Sequence, residues 1–141
     1  MRNISYLFIK RIWNDGDRIE LVLDMRVELM HSNPEVRANA GKTAIQYGPL
    51  VYCIEEVDNE KNLSSISVSS NNNFKAEFDP DLLGGIVVIK GNGLRTDSSS
   101  WNKSLYSPEA AKEKPVVIIA VPYCMWGNRT PGEMLVWIRQ K

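Results

Sequence analysis

Histidine and cysteine are scarce in this 141-residue chain, which holds one of the first, His31, and two of the second, Cys53 and Cys124. No CxxC or HxxxH spacing occurs, so a zinc site is not expected. Two cysteines cannot form a disulfide framework either, and a domain of this length does not need one. A folded chain of 141 residues buries roughly two-thirds of the surface its unfolded form exposes. Each cysteine lies in an apolar stretch, LVYCI and VPYCMW, where a thiol is expected to be buried as a small hydrophobe. A Cys53–Cys124 disulfide stays open, because sequence does not test its geometry.

Charge of one sign is also missing. Seventeen basic residues balance seventeen acidic ones without a basic stripe, so a nucleic-acid partner is not expected. The longest apolar run lies near residues 116–121 and is far too short to span a membrane, so no membrane partner is expected. The N-terminal MRNISYLFIKR lacks the continuous apolar stretch and small-residue cleavage site of a secretory signal.

What the chain has in quantity is period-two alternation, broken by turn residues every ten positions or so, which predicts strands. Residues 6–13 read as a strand, and Asn14-Asp15-Gly16-Asp17 as a hairpin turn. In the next run, Ile19, Leu21, Leu23, Met25, Val27 and Leu29 share one face, and Arg18, Glu20, Asp24, Arg26 and Glu28 take the other. A helical period would scatter the same apolar set all round. Further strands are expected over 43–47, 50–57, 63–70, 74–78 and 86–90, with Gly48-Pro49 as a bend, bulge or edge and Gly91-Asn92-Gly93 following the last of them. Residues 95–114 read as loop. VVIIAV after Pro115 reads as a central strand covered on both faces, and EMLVWIRQ as the last strand. Eight to ten strands without a helix predict an all-β antiparallel sandwich of jelly-roll type.

Catalytic candidates fare poorly. Glu55, Glu56 and Asp58 are acidic neighbours at a strand end. Glycosidases need two carboxylates about 5–10 Å apart across a cleft, and neighbours at a strand end are expected to be solvated charges instead. His31 has no orienting partner that the sequence can name. Ser98, Ser99 and Ser100, near Trp101, have no base beside them. The richest stretch is the loop from Pro122 to Met134, with Tyr123, Trp126, Asn128, Arg129 and Glu133 between two strong strands. It is a candidate carbohydrate-binding or interdomain surface, in which aromatic faces stack on a partner and Arg129 and Glu133 pair with each other.

That loop, PYCMWGNRTPGEMLVWIR, resembles the C-terminal signature of glycoside hydrolase family 127, the β-L-arabinofuranosidase-like proteins, at Pro122, Tyr123, Trp126, Asn128, Arg129, Gly132, Glu133, Met134 and Trp137. Two segments ahead of it, residues 33–59 and 78–91, match in order, and FIKRIWNDGDRIELVLDM is similar to the preceding hairpin of those proteins. The resemblance implies an N-terminal (α/α)-barrel that carries the acidic residues, a cysteine-bound zinc cluster and a nucleophilic cysteine, followed by β-sandwich domains. Zinc is implied for that barrel alone. Cys53 and Cys124 sit in the sandwich motifs, so no catalytic role passes to them.

On this reading residues 1–30 are the terminal hairpin of a preceding β-sandwich and residues 31–141 are the C-terminal β-sandwich. The expected function is a non-catalytic, structural or interdomain piece of a glycoside hydrolase acting on arabinofuranosides, whose partner is the catalytic domain. The alternative is a carbohydrate-binding module that grips glycan through Tyr123, Trp126 and Trp101. Residues 6–29, severed from a parent sandwich, are expected to pack on the second sandwich or to mediate a homodimer.

Overall fold

The computed structural model describes residues 6–71, 73–101 and 104–141. Among these the chain forms nine strands and one α-helical turn, with short 3-10 turns between them. The strands are β1 (Val27–Met30), β2 (Lys42–Tyr47), β3 (Leu50–Glu55), β4 (Ile66–Val68), β5 (Lys75–Asp79), β6 (Ile86–Asp97), β7 (Lys112–Pro122), β8 (Met134–Leu135) and β9 (Trp137–Gln140). The helical turn is α1 (Glu56–Asn59).

The all-β class is as expected, but its arrangement differs from two stacked sheets. β2 pairs with β9, β9 runs parallel to β4, and antiparallel pairings lead on through β6, β7 and β3 back to β2. Six strands therefore close a barrel. Closure depends on β6 and β7, which are long enough to serve both sides of it. β6 pairs with β5 at one end and β4 at the other, while β7 follows it from Lys112 to Ala120 and then passes to β3. β1 lies outside the ring on β2, β5 on β6 and β8 on β3.

Alternation along these strands fills two apolar layers. Ile45, Tyr52, Ile54, Ile66, Ile89, Ile118, Ala120 and Ile138 fill the barrel, and Cys53, Ile86, Val88 and Val121 form a second cluster on the other face of β3, β6 and β7. Burying each aliphatic side chain contributes about 1.5–3 kcal/mol. The double coverage expected of β7 holds from Ile118 to Val121, but Val117 is 63 % exposed.

Three sequence expectations fail for physical reasons. The strand expected over 86–90 does not stop at Gly91-Asn92-Gly93, because β6 runs straight through it. A Cβ on Gly91 would lie 2.3 Å from the Phe74 ring, and one on Gly93 would lie 2.4 Å from Ile118 Cδ1, so glycine marks close approach here. Residues 95–97 and 112–114 belong to β6 and β7 and not to a loop. The N-terminal hairpin ladder is absent. Asp17 N–H closes its turn on the Asn14 carbonyl at 3.1 Å, but residues 6–26 form no strand, and of the long alternating run only Val27–Met30 finds a partner. Gly48, at φ 55, turns the two-residue β2–β3 hairpin, with Met25 lying across it. Among the described residues no helix is long and apolar enough to cross a membrane.

Candidate functional site

Strand β3 ends in a buried acid. Glu55 is 5 % exposed, although a carboxylate at a strand end normally stays in water. The chain then winds through α1, which sets Asp58 beside Glu55, and the cation that neutralises both comes from 71 positions further on. Arg129 grips Asp58 with two bonds, Nη1 to Oδ1 at 2.7 Å and Nη2 to Oδ2 at 2.5 Å, and Nη2 also donates to Glu55. Hydrogen bonds to Asp58, then to Glu55, hold the guanidinium pKa above its ordinary value against the opposing effect of burial. The other Glu55 oxygen accepts the Gly127 N–H at 3.1 Å.

Further hydrogen bonds tie the loop from Pro122 to Met134 down at several points. Glu56 N–H donates to the Glu133 carbonyl at 2.9 Å, Glu133 N–H donates to the Glu56 carboxylate at 3.0 Å, and the Glu133 carboxylate accepts from Leu63 N–H at 2.7 Å. Asn128 donates to the Met125 carbonyl at 3.0 Å. Asn59, at the end of α1, replaces a missing strand neighbour for β7. Its amide donates to the carbonyls of Ile119 and Glu55 and accepts from Ile119 N–H, all within 3.0 Å. Arg95 plays the matching part from β6, donating to the carbonyls of Asn59 and Lys61 and to Ser65 Oγ.

Of the five residues singled out in the sequence, only Arg129 is drawn partly into the fold; Asn128 and Glu133 stay exposed but hydrogen-bonded, and Tyr123 and Trp126 stay exposed. Arg129 pairs with Glu55 and Asp58 and not with Glu133, whose carboxylate is occupied by Leu63 N–H. Asn128 caps its own loop. Tyr123 and Trp126 stay on the surface, 45 % and 44 % exposed, with ring centroids 6.3 Å apart and planes tilted by 31°. Trp126 borders a shallow cleft with Glu55, Glu56, Thr130, Gly132 and Glu133. With its Nη atoms engaged and its Nε buried, Arg129 has little left to offer a ligand.

Sequence reasoning missed Glu55, Asp58, Asn59 and Arg95 as parts of this network. The one available signal was an acid pair directly after an apolar strand, without an adjacent base to neutralise it. The two cysteines are not bonded to each other. Cys53 is buried and its thiol pKa is pushed up to about 12, by burial first and by the Glu55 charge second. Cys124 is exposed, against the expectation that both would be buried, because it falls on the 3-10 turn after β7 and not on the strand. His31 is exposed beyond β1 and lines a hollow with Asn39, Lys42 and Gln140. Ser99 N–H bonds to Asp97 in a local turn. Among the described residues no three His, Cys, Asp or Glu side chains converge as metal ligands would.

The family model described as the glycoside hydrolase family 127 C-terminal domain matches residues 27–139. A non-reducing end beta-L-arabinofuranosidase of Bifidobacterium longum subsp. longum is 34 % identical over 140 residues, 94 % of this chain and 21 % of that protein. The crystal structure of a GH127 beta-L-arabinofuranosidase from Geobacillus stearothermophilus T6 superposes with a TM-score of 0.82 at 48 % identity, over 84 % of this chain and 19 % of the other. A second GH127 beta-arabinofuranosidase superposes at 0.71 with 32 % identity, over 84 % of this chain and 18 % of its own. The chain thus spans about a fifth of the length of these relatives.

Proposed function

The chain belongs to the glycoside hydrolase family 127 C-terminal domain family, and we propose that it serves as the non-catalytic, interdomain end of an enzyme acting on β-L-arabinofuranosides. The observation that carries this reading is the fate of its paired acids. Glu55 and Asp58 are the carboxylates that a glycosidase reading would need, and both are bound to the same cation, Arg129, instead of standing apart on opposite sides of a cleft. Both carboxylates thus spend their hydrogen-bonding capacity within the fold. The catalytic (α/α)-barrel, with its zinc, belongs on this reading to the four-fifths of the relatives' length that this chain does not span. Residues 1–30 then complete a preceding β-sandwich, and residues 31–141 form the final domain.

The test is hydrolysis of a chromogenic β-L-arabinofuranoside. The chain alone is expected to give no rate above buffer, and a fusion to the upstream four-fifths of a family 127 relative is expected to be active. Turnover by the chain alone that Glu55→Gln abolishes would overturn the reading.

A second reading, a carbohydrate-binding module, draws on one observation, the half-exposed pair Tyr123 and Trp126. Aromatic faces at this exposure stack on sugar rings. Arabinose-containing oligosaccharides would then quench tryptophan fluorescence, and Trp126→Ala would remove the quenching.

A further inference from the structure

β6 changes partner partway along one edge. Its ladder with β4 ends at Ser67 opposite Leu94, and its ladder with β5 begins at Lys75 opposite Lys90. Where β4 and β5 part, a cleft of about 600 Å³ opens. By the two-residue period Asn92 and Leu94 share the face of β6 that carries Ile86 and Val88. The second apolar cluster covers that face at Ile86 and Val88, whereas at Asn92 it is exposed.

Leu94 and Pro115 are opposite one another across β6 and β7, so their side chains lie together as an apolar floor. Ser67 adds a hydroxyl from β4, 2 % exposed and 3.5 Å from the Leu94 carbonyl. Asn71 and Asn73, from the chain after β4, bring two amides to face that of Asn92.

This lining selects a ligand class. Each amide offers two donors and an acceptor, and a serine hydroxyl one donor and two acceptor sites. The hydroxyls of a sugar, each a donor and an acceptor at once, match that set, and the C–H face of its ring suits the floor. The volume lies in the range of clefts that take small ligands. Among the described residues no carboxylate lines the cleft, and the Lys141 ammonium at its border is paired with Glu113, so a charged ligand finds no counter-charge. An added peptide strand has no room, because residues 91–93 span only about 10 Å between the two ladders.

We propose that this cleft binds a neutral, arabinose-containing saccharide, with Asn71, Asn73 and Asn92 on its hydroxyls and Leu94 and Pro115 beneath its ring. It shares no lining residue with the cleft beside Trp126 and is a separate site. The saccharide class follows from the lining, whereas arabinose rests on the reading of the chain as the end of a family 127 enzyme.

Amide chemical shifts of the isotope-labelled whole chain, titrated with oligosaccharides, test this. A neutral arabino-oligosaccharide is expected to give saturable shifts at residues 67–71 and 92–94. Asn71→Ala and Asn73→Ala, both at exposed positions, are each expected to weaken binding about tenfold, and Trp126→Ala to leave it unchanged. Oligogalacturonate is expected to bind about tenfold more weakly than the neutral ligand. Saturable shifts from neither arabino- nor cello-oligosaccharide overturn the site. Shifts from cello-oligosaccharide alone overturn the arabinose assignment and leave the cleft a saccharide site, which separates a wrong parent enzyme from a wrong cleft. Equal or tighter binding of oligogalacturonate overturns the neutral class. Affinity indifferent to both asparagine variants, or lost in Trp126→Ala, overturns the location.

Discussion

Two segments of this molecule lack the regular ladder of a sheet, and they have opposite fates. The loop over 123–133 is fixed at several points, by Arg129 on two carboxylates, Gly127 on Glu55, and Glu133 on Glu56 and Leu63. Residues 6–26 have a local turn, the Arg11–Asp17 ion pair at 3.1 Å and Arg11 over the Trp13 ring, but their apolar side chains meet little of the barrel. The loop has the worse pattern and the better order. Side-chain carboxylates and amides offer the backbone what strands otherwise supply, whereas alternation alone gives a segment only a face in search of a surface.

The comparison can be broken at its strongest tie first. Arg129→Met leaves Glu55 and Asp58 together without a cation, and is expected to cost about 3–5 kcal/mol in urea unfolding. An effect below about 1 kcal/mol would mean that the loop is held by its other bonds. Asn59→Ala strips the Ile119 N–H and C=O of their partners and is expected to cost about 2–4 kcal/mol, accompanied by faster amide exchange at Ile119.

A smaller effect concerns the apolar layer beneath the loop. The folded Cys53 thiol keeps its proton up to about pH 12, while the unfolded one loses it near the ordinary value of 9.0. Between those limits the unfolded state binds fewer protons, so stability falls as pH rises above 9. Cys53→Ala is expected to flatten this fall between pH 9 and 10, and thermal melts across that interval measure it. Below pH 9 a thiol reagent is expected to label Cys124 in the folded protein and Cys53 only after unfolding. Smallest of all, Val22→Thr is expected to change the stability of the monomeric barrel by less than about 0.5 kcal/mol. A larger loss would show residues 6–26 to be part of the core.

The same contrast explains how much was legible beforehand. β2, β3, β5 and β7 were readable because each carries its own period, and the C-terminal signature was readable because its residues are contiguous. Closure of the barrel was hidden, since it rests on parallel pairing of β4 with β9 and on two strands that change partners midway. Gly91 and Gly93 read as punctuation because no local signal tells a turn from a strand pressed against Phe74 and Ile118. Glu55 read as solvated because its partner lies 74 positions away. Residues 19–25 misled in the other direction, displaying an impeccable amphipathic pattern with nothing inside the described chain to receive it. At the candidate site, the loop itself was legible and the direction each side chain takes was not.

β9 has one more consequence, for the order of events in time. It sits between β2 and β4, with Arg139 opposite both Lys42 and Ser67, so the last strand is the one that turns an open sheet into a ring. Contacts that span so much of the chain are slow to form. Until they form, β2 and β4 wait with bare edges, and the unfinished barrel is most exposed to pairing with its neighbours in the interval before its final strand docks.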